Sequence, residues 1–387
     1  MSFDPSTAVS PFYTSAHETF RAQVRRFVRE EIEPHCHAWD EAGEVPLELH
    51  RKAGRIGLSG IRLPEAYGGS EVDHLHTVIL HQELARCGSG GAYVSLIGYA
   101  IFAIPIAKMG SAELKARVLP GVIAGEKIGA LAVTEPQGGS DVASLRTRAE
   151  RVGDEFVING EKTFITGGMR ADCILVAART GGPGMGGISL LLVEGEPTGL
   201  ERHRLSKMGW LSSDTATLHF DNVRVPAGNL VGEPGVGFRA VVSTFNDERL
   251  GLAASALGFA IVAYEEALAY AQMRVTFGVP LVQHQVVRHK LVDMRQRIAA
   301  SQAMLEITAW RMDQGDRVVA DLCMLKNQAT QTLAFCASEA VQILGGSGFI
   351  RGGKVERIYR EVKVNAIGGG AEEVLKDLVA RQLGMVD

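Results

Sequence analysis

The apolar residues of this chain change their period twice, and that change restricts the fold more than any single motif does. From about Ala16 to Gly125 the spacing is helical: Phe20, Val24, Phe27 and Val28 recur on one stripe, and Ile79, Glu83 and Leu84 belong to a second amphipathic run. Gly57, Gly60, Pro64 and the Gly68-Gly69 pair punctuate this segment. Between about Lys127 and Pro234 the period falls towards two, in short runs rich in Val, Ile, Phe and Thr. There Asn159-Gly160, inside Phe156 to Lys162, predicts a hairpin with a type I′ turn. From Gly237 to Gln382 long helical patterns return over Ala253 to Met273, Val286 to Met312 and Leu322 to Leu344, with wide apolar stripes. At 387 residues the chain is too long for one core to organise. The expected layout is all-α over 1–126, a small β-sandwich or barrel over 127–235, and all-α again over 236–387.

A formal net charge of -4 with both signs interspersed offers no long-range attraction to phosphate polymers or anionic lipid, so neither nucleic acid nor membrane is an expected partner. Met1 to Pro5 lacks the basic stretch and apolar core of a signal peptide, and no run approaches eighteen uninterrupted apolar residues. The cysteines Cys36, Cys87, Cys173, Cys323 and Cys336 are odd in number and scattered, as suits a reducing compartment. A soluble cytoplasmic protein is expected.

Two motif segments carry the chemistry. Thr134 to Asp141 (TEPQGGSD) and Phe164 to Gly168 (FITGG) each end a strand-like run in hydroxyls, small residues and free backbone amides, as a flat polar heterocycle with a phosphate tail requires. Gly182 to Gly187 has the form GxGxxG, but strand-like runs lie on both sides of it. It is read as a loop, because the dinucleotide fingerprint needs a helix after the turn. His35 and His37 would leave different faces of a helix, and His81-Gln82-Glu83 lacks a second histidine four positions on, so no metal site is expected.

TEPQGGSD, NGEKTFITGG, KMGW with SSDT, RVTFG, His284-Gln285, QILGG and ERIYRE occur in an order and spacing that resemble the acyl-CoA dehydrogenase superfamily, from about Ala16 to Leu383. The resemblance implies an α+β multidomain fold: an N-terminal all-α domain, a middle β-sandwich or barrel, and a C-terminal four-helix-bundle-like α domain. It also implies FAD as cofactor. Leu131 to Ser140 would line the isoalloxazine and its ribityl phosphate, with Val133, Thr134, Gly139 and Ser140 facing it. Thr166 would donate towards flavin N5, flanked by Ile165, while Phe164 stands where the family more often has Trp. Arg274, Phe277 and Gln285, with Gln342, Ile343, Gly345 and Gly346, match positions that bind the adenine-diphosphate half, often across a subunit boundary. An arginine opposite a pyrophosphate makes bidentate charge-assisted bonds. Ala371 and Glu372 stand where Thr-Ser or Thr-Asn usually adjoins the flavin, so hydroxyl contacts are missing there, and Ala371 and Glu373 are carried over as cofactor-binding positions.

Dehydrogenation of an acyl thioester needs a buried carboxylate to take the α-proton, its pKa raised from about 4.3 by desolvation. In much of the family that glutamate lies near the C-terminus, at a position held here by Gly369. The isovaleryl and long-chain type instead places it one residue before an arginine, and this chain has Asp247-Glu248-Arg249 there. Thr244, Phe245, Gly251, Leu252 and Ser255 share its helical stripe, so Glu248 leaves a small, apolar face with Gly251 giving a substrate room. The Gly369 amide is left to hydrogen-bond the thioester oxygen. Ser140, Arg239, Phe245, Asp247, Arg249 and Gly370 complete the expected substrate contacts.

The expected activity is oxidation of a saturated acyl-CoA, or acyl-carrier-protein, to the trans-2-enoyl thioester in fatty acid β-oxidation, within a homotetramer or a dimer of the same type. Glu248 would take the proton, flavin N5 the hydride, and an electron-transferring flavoprotein the electrons. The alternatives are a flavin oxidase or monooxygenase of the same fold, and a DNA-associated protective relative, which calls for a basic face and tail.

Overall fold

The computed structural model describes residues 10–386, so the Met1 to Pro5 stretch read for targeting signals lies outside the described residues. Among the described residues six α-helices come first: α1 (Ser15–Phe27), α2 (Cys36–Ala42), α3 (Leu47–Arg55), α4 (His74–Ala85), α5 (Gly90–Met109) and α6 (Ala112–Ile123). Side-chain oxygens cap four of them where the sequence offers Thr14, Asp73, Ser89 and Ser111, each accepting a backbone N–H in the first turn. The α4 segment is not amphipathic as expected from Ile79, Glu83 and Leu84; every residue from Thr77 to Ala85 is buried. Two of its polar side chains are paired inside, Glu83 with Arg25 at 2.8 Å and Gln82 with Gln302 at 2.7 Å.

The middle segment is a mixed sheet of β1 (Gly129–Ala132), β2 (Arg148–Val152), β3 (Glu155–Thr166), β4 (Cys173–Arg179), β5 (Ile188–Glu194), β6 (Leu200–Arg204), β7 (Thr215–Pro226) and β8 (Leu230–Val231). The order is β6-β7-β3-β2-β4-β5-β8, with β1 parallel to β4. Only Arg148 and Arg179 pair at the β2–β4 junction. The sheet folds there, so Ile174, Val176 and Leu191 of one half share a core with Phe156, Ile158 and Leu218 of the other. Alternate residues Cys173, Leu175 and Ala177 face α5 and α6. Strand β4 is therefore apolar on both faces, and alternation is lost.

The expected hairpin at Asn159-Gly160 is not formed. These residues lie inside the continuous β3, and the tight turn is Gly153-Asp154, where Val152 pairs with Glu155. Asn159 instead meets a bulge in β7: Asn222, at φ 54, donates its backbone N–H to Asn159 Oδ1 at 2.9 Å. Gly160 is needed because a Cβ there would lie 2.7 Å from Thr147 Cα. The Gly182 to Gly187 run is the loop between antiparallel β4 and β5, as expected.

The rest of the chain is α7 (Gly237–Met273), a small hairpin of β9 (Val275–Thr276) and β10 (Val279–Pro280), then α8 (Gln285–Asp313), α9 (Val319–Leu344), α10 (Lys354–Ile367) and α11 (Glu372–Gln382). Helices α5 and α7 are long and apolar enough to cross a membrane, but 61% and 72% of their most apolar windows are buried within the protein, which marks them as core helices. N-terminal and C-terminal helices share a single core, running from Val24 and Val78 to Leu257 and Leu333. The ERIYRE motif ties all three segments together. Glu361 accepts Gly90 N–H of α5 at 2.7 Å and Trp210 N–H of the β segment at 2.6 Å, while Arg357 pairs with Asp40 of α2 at 2.7 Å.

Candidate active site

The two motif segments meet where β1 and β3 end side by side, with Thr163 N–H donating to the Thr134 carbonyl at 2.9 Å. Beneath them lies a fully buried ion pair, Lys162 to Glu135 at 2.8 Å. Lys162 Nζ also reaches the Val133 carbonyl at 2.9 Å, and Glu135 accepts the backbone N–H groups of Arg146 and Thr147 at 2.6 and 2.8 Å. Glu135, although burial alone would raise it, is held below the usual carboxylate range by Lys162 and these N–H groups; burial pushes Lys162 down to about 8. Neither residue was singled out from sequence, although each sits inside a quoted motif. An internal charge in each of two adjoining strand ends was the available signal.

The FITGG segment turns away on the SSDT motif. Asp214 accepts Met169 N–H at 2.8 Å and the Arg170 guanidinium at 3.2 Å, and its carbonyl takes Gly167 N–H. Between them Phe164 occupies a bulge in β3 at φ 60, costly for a bulky side chain, with its ring 68% exposed. The hydroxyls of Thr134, Ser140 and Thr166 hydrogen-bond to no described residue. An unpartnered aromatic face, held out by strained backbone and rimmed by free hydroxyls, fits a flat heterocycle. Leu131 and Val133 are half-buried and share an apolar cluster with Phe238 and Phe245 at the start of α7. Gly139 and Ser140 are exposed in the loop, whereas the Ile165 side chain points into the sheet core and leaves only backbone to offer.

Glu248 and Gly369 come together. A Cβ on Gly369 would stand 3.8 Å from the Glu248 carboxyl, so the two positions open on the same space. Part of the Glu248 surface stays accessible, and its carboxylate makes no ion pair or hydrogen bond with the described residues. Burial lifts it to about 7, against the pull of Arg249 and Lys326. Gly369 has φ 66, and a Cβ there would meet Leu252 Cδ1 at 2.5 Å, so the turn is shaped for glycine. Arg249 is buried, with Nε reaching the Gly369 carbonyl at 3.4 Å and its guanidinium 5.7 Å from the Phe245 ring.

Gly251 does not open space for a substrate. A Cβ there would lie 2.4 Å from the His81 ring, so the missing side chain admits a buried imidazole whose Nδ1 pairs with Tyr93 Oη at 2.6 Å. Burial lowers His81 to about 4, which keeps it neutral. Asp247 faces away from Glu248 into a polar network with His74 at 3.3 Å, Arg62 at 3.6 Å and Lys108 at 3.7 Å. Arg239 is exposed one turn into α7. Gly370, at φ 106, backs onto Leu375; Ala371 precedes α11, Glu372 pairs with Lys376 at 2.7 Å, and Glu373 is exposed.

The remaining predicted residues gather elsewhere. Arg274 and Phe277 lie just past the C-terminal end of α7, with Gln285 opening α8 and Gln342, Gly345 and Gly346 exposed at the end of α9. Phe277 is 98% exposed at φ 49, and Arg274 makes no ion pair with the described residues. Ile343 is buried in the helical core. The 26 residues of helical path from Glu248 to Arg274 span about 39 Å.

Among the described residues, His17, Asp73 and His76 could together offer a metal three ligand atoms. These groups already bond one another, His76 Nδ1 lying 2.7 Å from Asp73, and two of them take part in helix caps. The Nδ1 of His17 accepts Thr14 N–H at 3.0 Å, which leaves the proton on Nε2 facing Asp73, and Asp73 caps α4.

Comparison with known proteins gives the family. Family models for the N-terminal, middle and C-terminal domains of acyl-CoA dehydrogenase match residues 14–126, 130–223 and 235–384. The mitochondrial long-chain specific acyl-CoA dehydrogenase of Mus musculus is 36% identical, over 96% of this chain and 87% of its own length. A solved structure of a probable acyl-CoA dehydrogenase from Mycobacterium abscessus is 42% identical with a TM-score of 0.95, covering 96% of this chain and all of that one. Butyryl-CoA dehydrogenase from Megasphaera elsdenii is 32% identical with a TM-score of 0.91, over 99% and 100% of the two chains.

Proposed function

This chain belongs to the acyl-CoA dehydrogenase family and is an FAD-dependent oxidoreductase, and from that premise we propose that Glu248 is the base that takes the α-proton of a saturated acyl thioester. The observation that carries the reading is the shared space of Glu248 and Gly369: the carboxylate stands where a side chain at 369 would point. A base near pKa 7 is matched to proton transfer at neutral pH, whereas an unperturbed glutamate would be too weak. Gly369, its side-chain space filled by Leu252 and Glu248, contributes its backbone amide to the thioester oxygen, where enolate charge develops. One such donor is typically worth about 3 to 4 kcal/mol. Arg249 holds that turn by its carbonyl and packs on Phe245, orienting the base's helix against the turn.

Thr134, Ser140, Thr166 and the Phe164 ring would hold the isoalloxazine end of FAD, and Arg274, Phe277, Gln285 and the Gln342 to Gly346 turn its adenine-diphosphate end. When bound, FAD supplies the two-electron acceptor that takes the β-hydrogen as hydride. Because the two sets lie at opposite ends of α7, each FAD is held by two copies of the chain. That supports a homotetramer, or a dimer of the same type. The thioester carrier is CoA, with a carrier protein as the other possibility, and an electron-transferring flavoprotein is the acceptor. A cytoplasmic place in β-oxidation completes the proposal, supported by five free buried cysteines.

A panel of saturated acyl-CoA and acyl-carrier-protein thioesters, read by anaerobic bleaching of the flavin and then by reoxidation, tests this reading. Bleaching by at least one CoA thioester, with turnover only when a flavoprotein or artificial acceptor is present, is the expected result. Rapid aerobic turnover with peroxide would show an oxidase instead.

A further inference from the structure

Lys326, within α9, is fully buried, and no motif of the sequence drew it out. Its Nζ donates to the carbonyls of Ala366 at 3.1 Å and Gly370 at 2.9 Å, the two ends of the turn that presents Gly369. Arg249 reaches the carbonyl between them. Two cations from two helices thus hold three carbonyls of one short turn.

A buried ammonium is costly unless hydrogen bonds and opposite charge offset its lost hydration. Three other titratable groups lie close enough to act on Lys326 from neighbouring helices, namely Glu248 and Arg249 on α7 and Glu372 at the start of α11; Cys323 acts from its own helix. No carboxylate of the described residues touches it within ion-pair distance. Burial pushes Lys326 down to about 8 and Glu248 pulls it back up, while Lys326 helps Arg249 draw Glu248 down. The same cation therefore acts on both partners of the shared space, on one by hydrogen bonds and on the other through its field.

We propose that Lys326 is a positioning residue for the proton transfer: it fixes the Ala366 to Gly370 turn with the Gly369 amide beside Glu248, and its charge favours the carboxylate form of that base. This inference rests on Glu248 being the base. A simple staple for the turn would serve folding alone, and the two roles separate in solution.

The variants are Lys326→Met, which keeps the stem and removes the charge; Lys326→Arg, which keeps the charge; and Asn327→Ala. Asn327 Nδ2 donates to the Glu372 carbonyl at 3.1 Å, so it ties the following segment without a charge. The pH profile of anaerobic flavin reduction is measured on the FAD-loaded full chain, together with thermal stability in the native and Glu248→Gln backgrounds. Lys326→Met should raise the apparent pKa of the base by about one unit, as loss of a nearby opposite charge does. Lys326→Arg and Asn327→Ala should leave it in place, and Lys326→Met should lose less stability in the Glu248→Gln background. An unchanged profile for folded, FAD-loaded Lys326→Met, or equal stability losses in both backgrounds, overturns the proposal. Should Lys326→Met not fold, Lys326→Gln replaces it. Folding only in the Glu248→Gln background supports the coupling, and failure in both marks a purely structural cation and overturns it. Retained activity in Glu248→Gln alone would instead refute the base assignment, an outcome independent of any change at Lys326.

Discussion

A carboxylate at 248 and a glycine at 369 are one arrangement seen from two ends. The carboxyl is lifted to about 7 chiefly by burial, so kcat/KM should rise with pH and level off above about 7, which a pH series of flavin reduction checks. The same shift has a stability sign. Between pH 4.5 and about 7 the folded chain keeps a proton that the unfolded chain has released, so stability falls as pH rises through that window. Glu248→Gln should therefore unfold at higher temperature than the native chain at pH 8 and show little gain at pH 5. Gly369→Ala must place a side chain at φ 66 against Leu252 and should cost about 1–3 kcal/mol in denaturant unfolding. That a carboxylate at 248 and a glycine at 369 belong together could be expected because Asp247-Glu248-Arg249 and the glycine turn are local strings, and the fold does bring the two positions to one space. The purpose of Gly251 was not legible, since the His81 ring that fills its space comes from a helix 170 positions earlier in the chain.

Strand ends, rather than strand interiors, present the residues proposed to hold the isoalloxazine. Lys162 and Glu135 bind β3 to the loop after β1 through a dry ion pair with four neighbouring hydrogen bonds. Lys162→Met leaves a buried carboxylate without its cation, a change that costs about 3–5 kcal/mol. Calorimetry should show that loss, and the purified variant should lose FAD because the Thr134 loop no longer sits on β3. The sequence pattern placed these strands correctly but misassigned the turn between them. Asn-Gly is a turn signal only when pairing stops there, and β7 supplies a twelve-residue partner that carries β3 straight through. The true turn, Gly153-Asp154, lies in a stretch without an Asn-Gly pair.

Across the whole molecule, the alternation of helical and strand periods announced the α, β, α order, because each period reflects which face a local segment buries. It could not announce that the first and last helical segments share one core, or that Glu361 joins all three segments; those contacts depend on distant pairings. On the proposed reading, the separation along α7 of the two sets of residues expected to hold FAD would make assembly part of the site. Arg274→Ala should lower FAD occupancy without loss of the protomer fold, and sedimentation should show the native assembly releasing FAD as it dissociates on dilution. All of this serves one claim, that Glu248 takes the α-proton. Its most direct test is stopped-flow flavin bleaching of the assembled, FAD-loaded Glu248→Gln variant with a substrate that bleaches the native enzyme. Bleaching slowed by roughly 10² to 10⁴-fold with FAD still bound is the predicted result. Near-native bleaching in Glu248→Gln, with the loss appearing instead in Glu372→Gln or Glu373→Gln, would contradict it.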